Sequence, residues 1–205
     1  DANQTLKPII VITDSDNMVI IGRQAANASS SNGDRTVAIG YDAYGSSIST
    51  DNVAVGYAAS QFSGVNFCVA IGQSAAIFNS GAQSVSIGPS TNYSNSATGT
   101  VSVGYQASYS QTSGANNTNL GYQAGYGIST DGNNTNIGYE AGAAGIGANN
   151  TFIGEGAGKG YNTGTSIAGD NIAIGVGKKL LMGGGSHTYI SEDIDDRVRH
   201  FVGGT

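Results

Sequence analysis

A short unit, aliphatic–x–aliphatic–Gly, recurs along this chain at nearly constant spacing, and no other feature limits its fold as severely. It reads Val37-Ala38-Ile39-Gly40-Tyr41-Asp42-Ala43, then Val53-Ala54-Val55-Gly56-Tyr57-Ala58-Ala59. Val69-Ala70-Ile71-Gly72, Val85-Ser86-Ile87-Gly88 and Val101-Ser102-Val103-Gly104-Tyr105-Gln106-Ala107 follow. Later copies open with threonine: Thr118-Asn119-Leu120-Gly121, Thr135-Asn136-Ile137-Gly138 and Thr151-Phe152-Ile153-Gly154. Val19-Ile20-Ile21-Gly22 and Ile172-Ala173-Ile174-Gly175 flank the series. Successive marker glycines lie 18, 16, 16, 16, 16, 17, 17, 16 and 21 residues apart. Such a period is the signature of a repeat architecture in which each unit covers its neighbour.

Alternation with a β-branched bias makes each Val-x-Ile a short strand with both aliphatics on one face. The glycine behind it marks a tight bend or a close backbone approach. The alanine three residues on is read as a small side chain facing inward at a crowded corner. The polar remainder of each unit carries one or two larger apolar residues, among them Ile48, Phe62, Val65, Ile77, Phe78, Tyr93, Tyr109, Ile128 and Ile146. These predict a second short strand lying over the first. Glycines interrupt every apolar pair, so no helical period survives. The chain is therefore expected to be all-β, a parallel β-solenoid of about ten short coils stacked at roughly 4.8 Å. Residues 19–178 form the repeat region, 1–18 an N-terminal strand or connector that includes Pro8-Ile9-Ile10-Val11-Ile12, and 179–205 a C-terminal cap or docking tail. About three medium apolar side chains per coil make a thin core, which predicts assembly with identical chains.

Charge narrows the function classes. Only 11% of residues are charged, the net charge is −6, and no Lys or Arg occurs between Arg35 and Lys159. A surface without cations over that length cannot neutralise phosphates, which argues against nucleic-acid binding and against electrostatic membrane binding. No run approaches the roughly 20 apolar residues of a spanning helix. No signal-peptide pattern is visible, and the Asp1 start places any leader outside this sequence. The single cysteine, Cys68, excludes an intrachain disulfide and is read as a small packed side chain.

The Val-Ala-Ile-Gly-Tyr-x-Ala units resemble the head repeats of YadA-type trimeric autotransporter adhesins and the similar glycine-rich repeats of bacteriophage tail fibres. The resemblance covers residues 19–178. It implies a left-handed parallel β-roll, a parallel homotrimer with the aliphatic rows around its threefold axis, and an extracellular, cell-surface or virion location. No cofactor and no catalysis are expected. The coils are longer than those common in adhesin heads, and neither a heptad stalk nor a membrane-anchor barrel follows. That favours a structural or adhesive piece of a fibre attaching to a cell-surface receptor or glycan, with a self-polymerising filament subunit as the alternative.

Candidate sites are few. Tyr41, Tyr57, Tyr105, Tyr122 and Tyr139 follow marker glycines and would form one column, interrupted by Gln73 and Pro89. It reads as a structural ladder or as an aromatic strip for sugar rings. The pairs Asn116-Asn117, Asn133-Asn134 and Asn149-Asn150 precede strands at equivalent positions, where asparagine suits left-handed bends. They also create sequons, as at Asn116-Asn117-Thr118. Regular Thr-x-Thr ladders and Gly/Asp nonapeptides are absent, which argues against an ice-binding array and a calcium roll. Asp42, Asp51, Asp131, Glu140 and Glu155 are too scattered for paired-carboxylate catalysis. Asp193, Asp195 and Asp196 in the mixed-charge tail read as a solvated cap rather than a metal site, and His187 and His200 belong to no motif.

Overall fold

The computed structural model describes residues 17–26, 35–45, 50–62, 66–144 and 147–159, together with five strands outside those ranges. Gly175, Ile48, Val65, Ile146, residues 1–9, His187 and the tail aspartates Asp193, Asp195 and Asp196 lie outside the described residues.

Eleven strands make one sheet in strict sequence order. They are β1 (Ile10–Thr13), β2 (Met18–Ile21), β3 (Val37–Ile39), β4 (Val53–Val55), β5 (Val69–Ile71), β6 (Val85–Ile87), β7 (Val101–Val103), β8 (Thr118–Leu120), β9 (Thr135–Ile137), β10 (Thr151–Ile153) and β11 (Ile172–Ile174). From β2 to β11 every pair is parallel and in register, as in Val37↔Val53, Ala38↔Ala54 and Ile39↔Val55. The chain is a parallel β-solenoid. Only β1 runs antiparallel, pairing Ile10 with Ile21 and so covering the edge of β2. Three further strands, β12 (Leu180–Leu181), β13 (Tyr189–Glu192) and β14 (Val198–Phe201), form a separate antiparallel sheet.

Each described coil from β3 to β10 holds one strand rather than two. After the marker glycine, the second and fourth residues take left-handed conformations: Asp42 and Tyr44, Ala58 and Ser60, Ser74 and Ala76, Gln106 and Ser108. Alternation of hand turns successive N–H groups toward opposite neighbours. Asp42 N–H donates to Arg23 O (3.1 Å) one coil back, whereas Tyr44 N–H donates to Ala59 O (2.8 Å) one coil forward. The coils are thus bonded around the bend as well as through the strands, without the extended backbone a second strand needs. Of the residues expected on that strand, Ile77 and Ile128 are buried, while Phe62 and Phe78 are exposed.

The facing of the strands inverts the simplest expectation for an apolar pattern. The middle residues Ala38, Ala54, Ala70, Ser86, Ser102, Asn119, Asn136 and Phe152 are wholly buried. The aliphatics on either side point outward and stay half-buried or exposed. The core is therefore narrower than a count of aliphatics suggests. It changes character along the rod. Met18, Tyr44 and a column of alanines fill the first coils, and Ile128, Ala141, Phe152 and Ala157 fill the last. Between them runs a hydrogen-bonded polar chain. Asn92 Nδ2 donates to Ser86 Oγ (2.7 Å), Ser102 Oγ to Asn92 Oδ1 (3.0 Å), and Asn136 Nδ2 to Asn119 Oδ1 (2.6 Å). Ser108 Oγ joins the halves, 2.6 Å from Ser102 Oγ and accepting from Asn119 Nδ2.

Candidate functional site

Among the described residues, three columns of large apolar or aromatic side chains on the perimeter of the solenoid reach water. The first is the outward strand face. Val19, Val37, Val53, Val69, Val85, Val101, Thr118, Thr135 and Thr151 form one row, and the third strand residues form the other. Ile71 is 38% exposed, Leu120 45% and Ile153 46%. No charged side chain occupies either row. This is an uncharged, largely aliphatic strip that follows the stacked coils.

The second column begins just past the glycine bend. Tyr41, Tyr57, Tyr105, Tyr122 and Tyr139 are all exposed and stack where they are consecutive. Ring centroids are 5.5 Å apart for Tyr41–Tyr57, 5.2 Å for Tyr105–Tyr122 and 5.1 Å for Tyr122–Tyr139. The Arg23 guanidinium lies 4.8 Å from the Tyr41 centroid. Exposed Gln73 and Pro89 interrupt the stack, as the spacing implies. Nearly parallel rings at these distances overlap with an offset, so each covers part of its neighbour's face.

Sequence reasoning missed the third column. Phe62, Phe78, Tyr93, Tyr109 and Tyr126 form an unbroken file with centroid separations of 5.2, 5.5, 5.0 and 5.3 Å. Phe78–Tyr93 is edge-to-face and the other contacts are stacked. The phenylalanines stand six residues after their marker glycines and the tyrosines five, so no single offset reveals the file in the sequence. The inward-facing pair at the third and fourth positions, such as Ala75–Ala76 or Ala107–Ser108, separates this column from the tyrosines that follow the glycines.

The asparagine pairs divide their labour. Asn116, Asn133 and Asn149 are left-handed, with φ of 59°, 59° and 61°. Their exposed amides form a ladder, Asn116 Nδ2 to Asn133 Oδ1 (3.3 Å) and Asn133 Nδ2 to Asn149 Oδ1 (3.1 Å). The second member is buried and ties coils together. Asn134 N–H donates to Asn117 Oδ1 (2.7 Å) and Asn150 N–H to Asn134 Oδ1 (2.8 Å). Asn52 does the same for Cys68 N–H (3.0 Å).

Several of the described titratable groups are paired. Arg35 grips Asp51 with Nε on Oδ1 (2.5 Å) and Nη2 on Oδ2 (2.6 Å), and these bonds hold the Asp51 carboxyl below its usual range against the opposing effect of desolvation. Asp42 accepts from Gln61 Nε2, and Glu140 pairs with Lys159. Asp42 and Glu140 share a column but stand six coils apart, on the order of 30 Å. Burial raises the Cys68 thiol, which sits 3.6 Å from both Asn66 O and Gly81 O and is shielded from reagents. Among the described residues no group of three or more His, Cys, Asp or Glu is placed to hold a metal ion, and no helix is long and apolar enough to cross a membrane.

No protein-family model matches the chain, and no curated protein or solved structure is significantly similar to it.

Proposed function

We propose that this chain is a non-enzymatic segment of an extracellular or virion fibre, a parallel homotrimer of left-handed β-rolls that serves attachment to a cell surface or its glycans. The observation that carries the reading is the outward facing of the aliphatic rows, with alanine, serine and asparagine inside. A solenoid that places its largest β-branched residues in water gains little from them as a single chain. A contiguous strip on the order of 50 Å by 10 Å is at the limit of what monomeric proteins leave open, and patches of that size mark interaction surfaces. A second copy is the natural occupant, because a straight, uncharged, in-register strip matches itself when chains run parallel. Three chains and a left-handed coil follow from the likeness of the Val-Ala-Ile-Gly-Tyr-x-Ala units to fibre and adhesin-head repeats.

Light scattering of the purified chain, with negative-stain electron microscopy of the same sample, tests this. Short discrete rods with the mass of three chains are expected. A monomer would overturn the reading. Long filaments with a fixed axial repeat would replace it with a self-polymerising structural subunit, grown through the sheet edges beyond β1 and β11.

A further inference from the structure

We propose that the column Phe62–Phe78–Tyr93–Tyr109–Tyr126 is a binding track for a neutral, extended β-linked polysaccharide lying parallel to the rod. The proposal rests on the attachment reading above and gives it a place and a ligand class.

Three observations converge on this column. The first is spacing. One ring per coil, at 5.0–5.5 Å, is about the advance of one hexopyranose in an extended β-1,4-linked chain. Successive sugars therefore meet successive rings without bending either partner. Offset stacking leaves part of each ring open: Phe62 and Phe78 are 50% and 47% exposed, and Tyr93, Tyr109 and Tyr126 are half-buried. The C–H faces of pyranoses pack on such surfaces.

The second is charge. No Asp, Glu, Lys, Arg or His occurs between Asp51 and Asp131, and all five rings lie inside that interval. Nothing there attracts a sulfated or uronic chain, so the ligand is a neutral one. A column of hydroxyls runs beside the rings from Phe78 to Tyr126, two or three residues further along each of those four coils. Ser80 Oγ and Ser96 Oγ bond to each other (2.9 Å), and exposed Thr112 and Ser129 continue the line. Apolar rings beside hydroxyls match the two kinds of surface a sugar presents.

The third is position. Unlike the tyrosines behind the glycines, this file is uninterrupted, and the buried pair at the bend sets it apart from the aliphatic strip.

The test titrates the full-length chain with cellohexaose and chitohexaose as neutral probes and a heparin hexasaccharide as the anionic one. Saturation-transfer NMR and calorimetry supply the readouts. Binding of a neutral hexaose that persists at high salt is expected, with saturation strongest on the pyranose C–H protons. Phe78→Ala with Tyr109→Ala should weaken it at least tenfold, while Tyr57→Ala in the other column leaves it unchanged. Far-UV circular dichroism and mass, measured on each variant, show that fold and assembly survive. No neutral binding, preference for heparin, or undiminished binding by the double variant would each overturn the track. Rods that assemble yet bind no hexaose sink the track and leave the fibre reading standing. Hexaose binding by a monomer does the reverse.

Discussion

Gly72 and Gly156 both take positive φ, yet their neighbours give them different roles. A Cβ on Gly72 (φ +135°) would stand 2.6 Å from Gly88 O of the next coil, whereas one on Gly156 (φ +64°) meets nothing within 4 Å. Gly72→Ala therefore combines a backbone conformation costing about 1–3 kcal/mol with an overlap that only separation of two coils can relieve. Denaturant unfolding should show Gly72→Ala losing at least about 3 kcal/mol and Gly156→Ala about 1 kcal/mol. Equal losses would mean that contact between coils is not what reserves the marker positions for glycine. Asp51 gives a second prediction at this scale. Its carboxyl is depressed in the folded chain, so its contribution to stability is present above the unfolded carboxylate range and fades as pH falls through the lowered folded value. Carboxyl NMR titration should find Asp51 protonating below ordinary aspartates, and Arg35→Ala should bring it back toward them.

Within the coils, asparagine acts as a structural element in its own right. Asn119 donates to Ser108 Oγ and accepts from Asn136 Nδ2 at the centre of the buried polar chain. Asn119→Ala opens a small cavity and leaves Asn136 Nδ2 without its acceptor away from water, while Ser108 keeps Ser102, a loss of about 2–4 kcal/mol by the usual cost of cavities and unsatisfied buried groups. Thermal melts should show a clear drop, and a variant that melts with the parent would mean that water replaces the side chain there. Much at this scale was legible in advance. The marker glycines, the strands before them and the left-handed first asparagines follow from backbone chemistry, which acts residue by residue. Which strand face is buried was not legible. Period two groups Val37 with Ile39 but is silent on which side is inward, and the structure turns the middle residue inward whether it is small like Ala38, polar like Asn119 or large like Phe152. The aromatic file escaped notice for a different reason. Its register slips by one residue between Phe78 and Tyr93, and three-dimensional stacking absorbs the slip.

At the scale of the whole molecule, the aliphatic strip decides whether this solenoid is a finished object. Ile87 on β6 and Leu120 on β8 are 37% and 45% exposed and lie in the same outward row. Lysine at either site can keep its stem on the sheet and its ammonium in water while the chain is alone. Ile87→Lys with Leu120→Lys is thus expected to leave the fold intact, with each surface change worth within about 0.5 kcal/mol. Around a shared axis the same variant would bring together six like charges out of water, at several kcal/mol apiece. Light scattering should then report single chains where the proposed assembly of the parent has three, with an unchanged far-UV spectrum. A variant that still assembles would place the contact elsewhere on the perimeter, and the two aromatic columns would be the next surfaces to charge. Loss of the fold along with assembly would mean instead that the coils depend on their neighbours to stand at all, as a core of alanine, serine and asparagine makes conceivable for obligate oligomers.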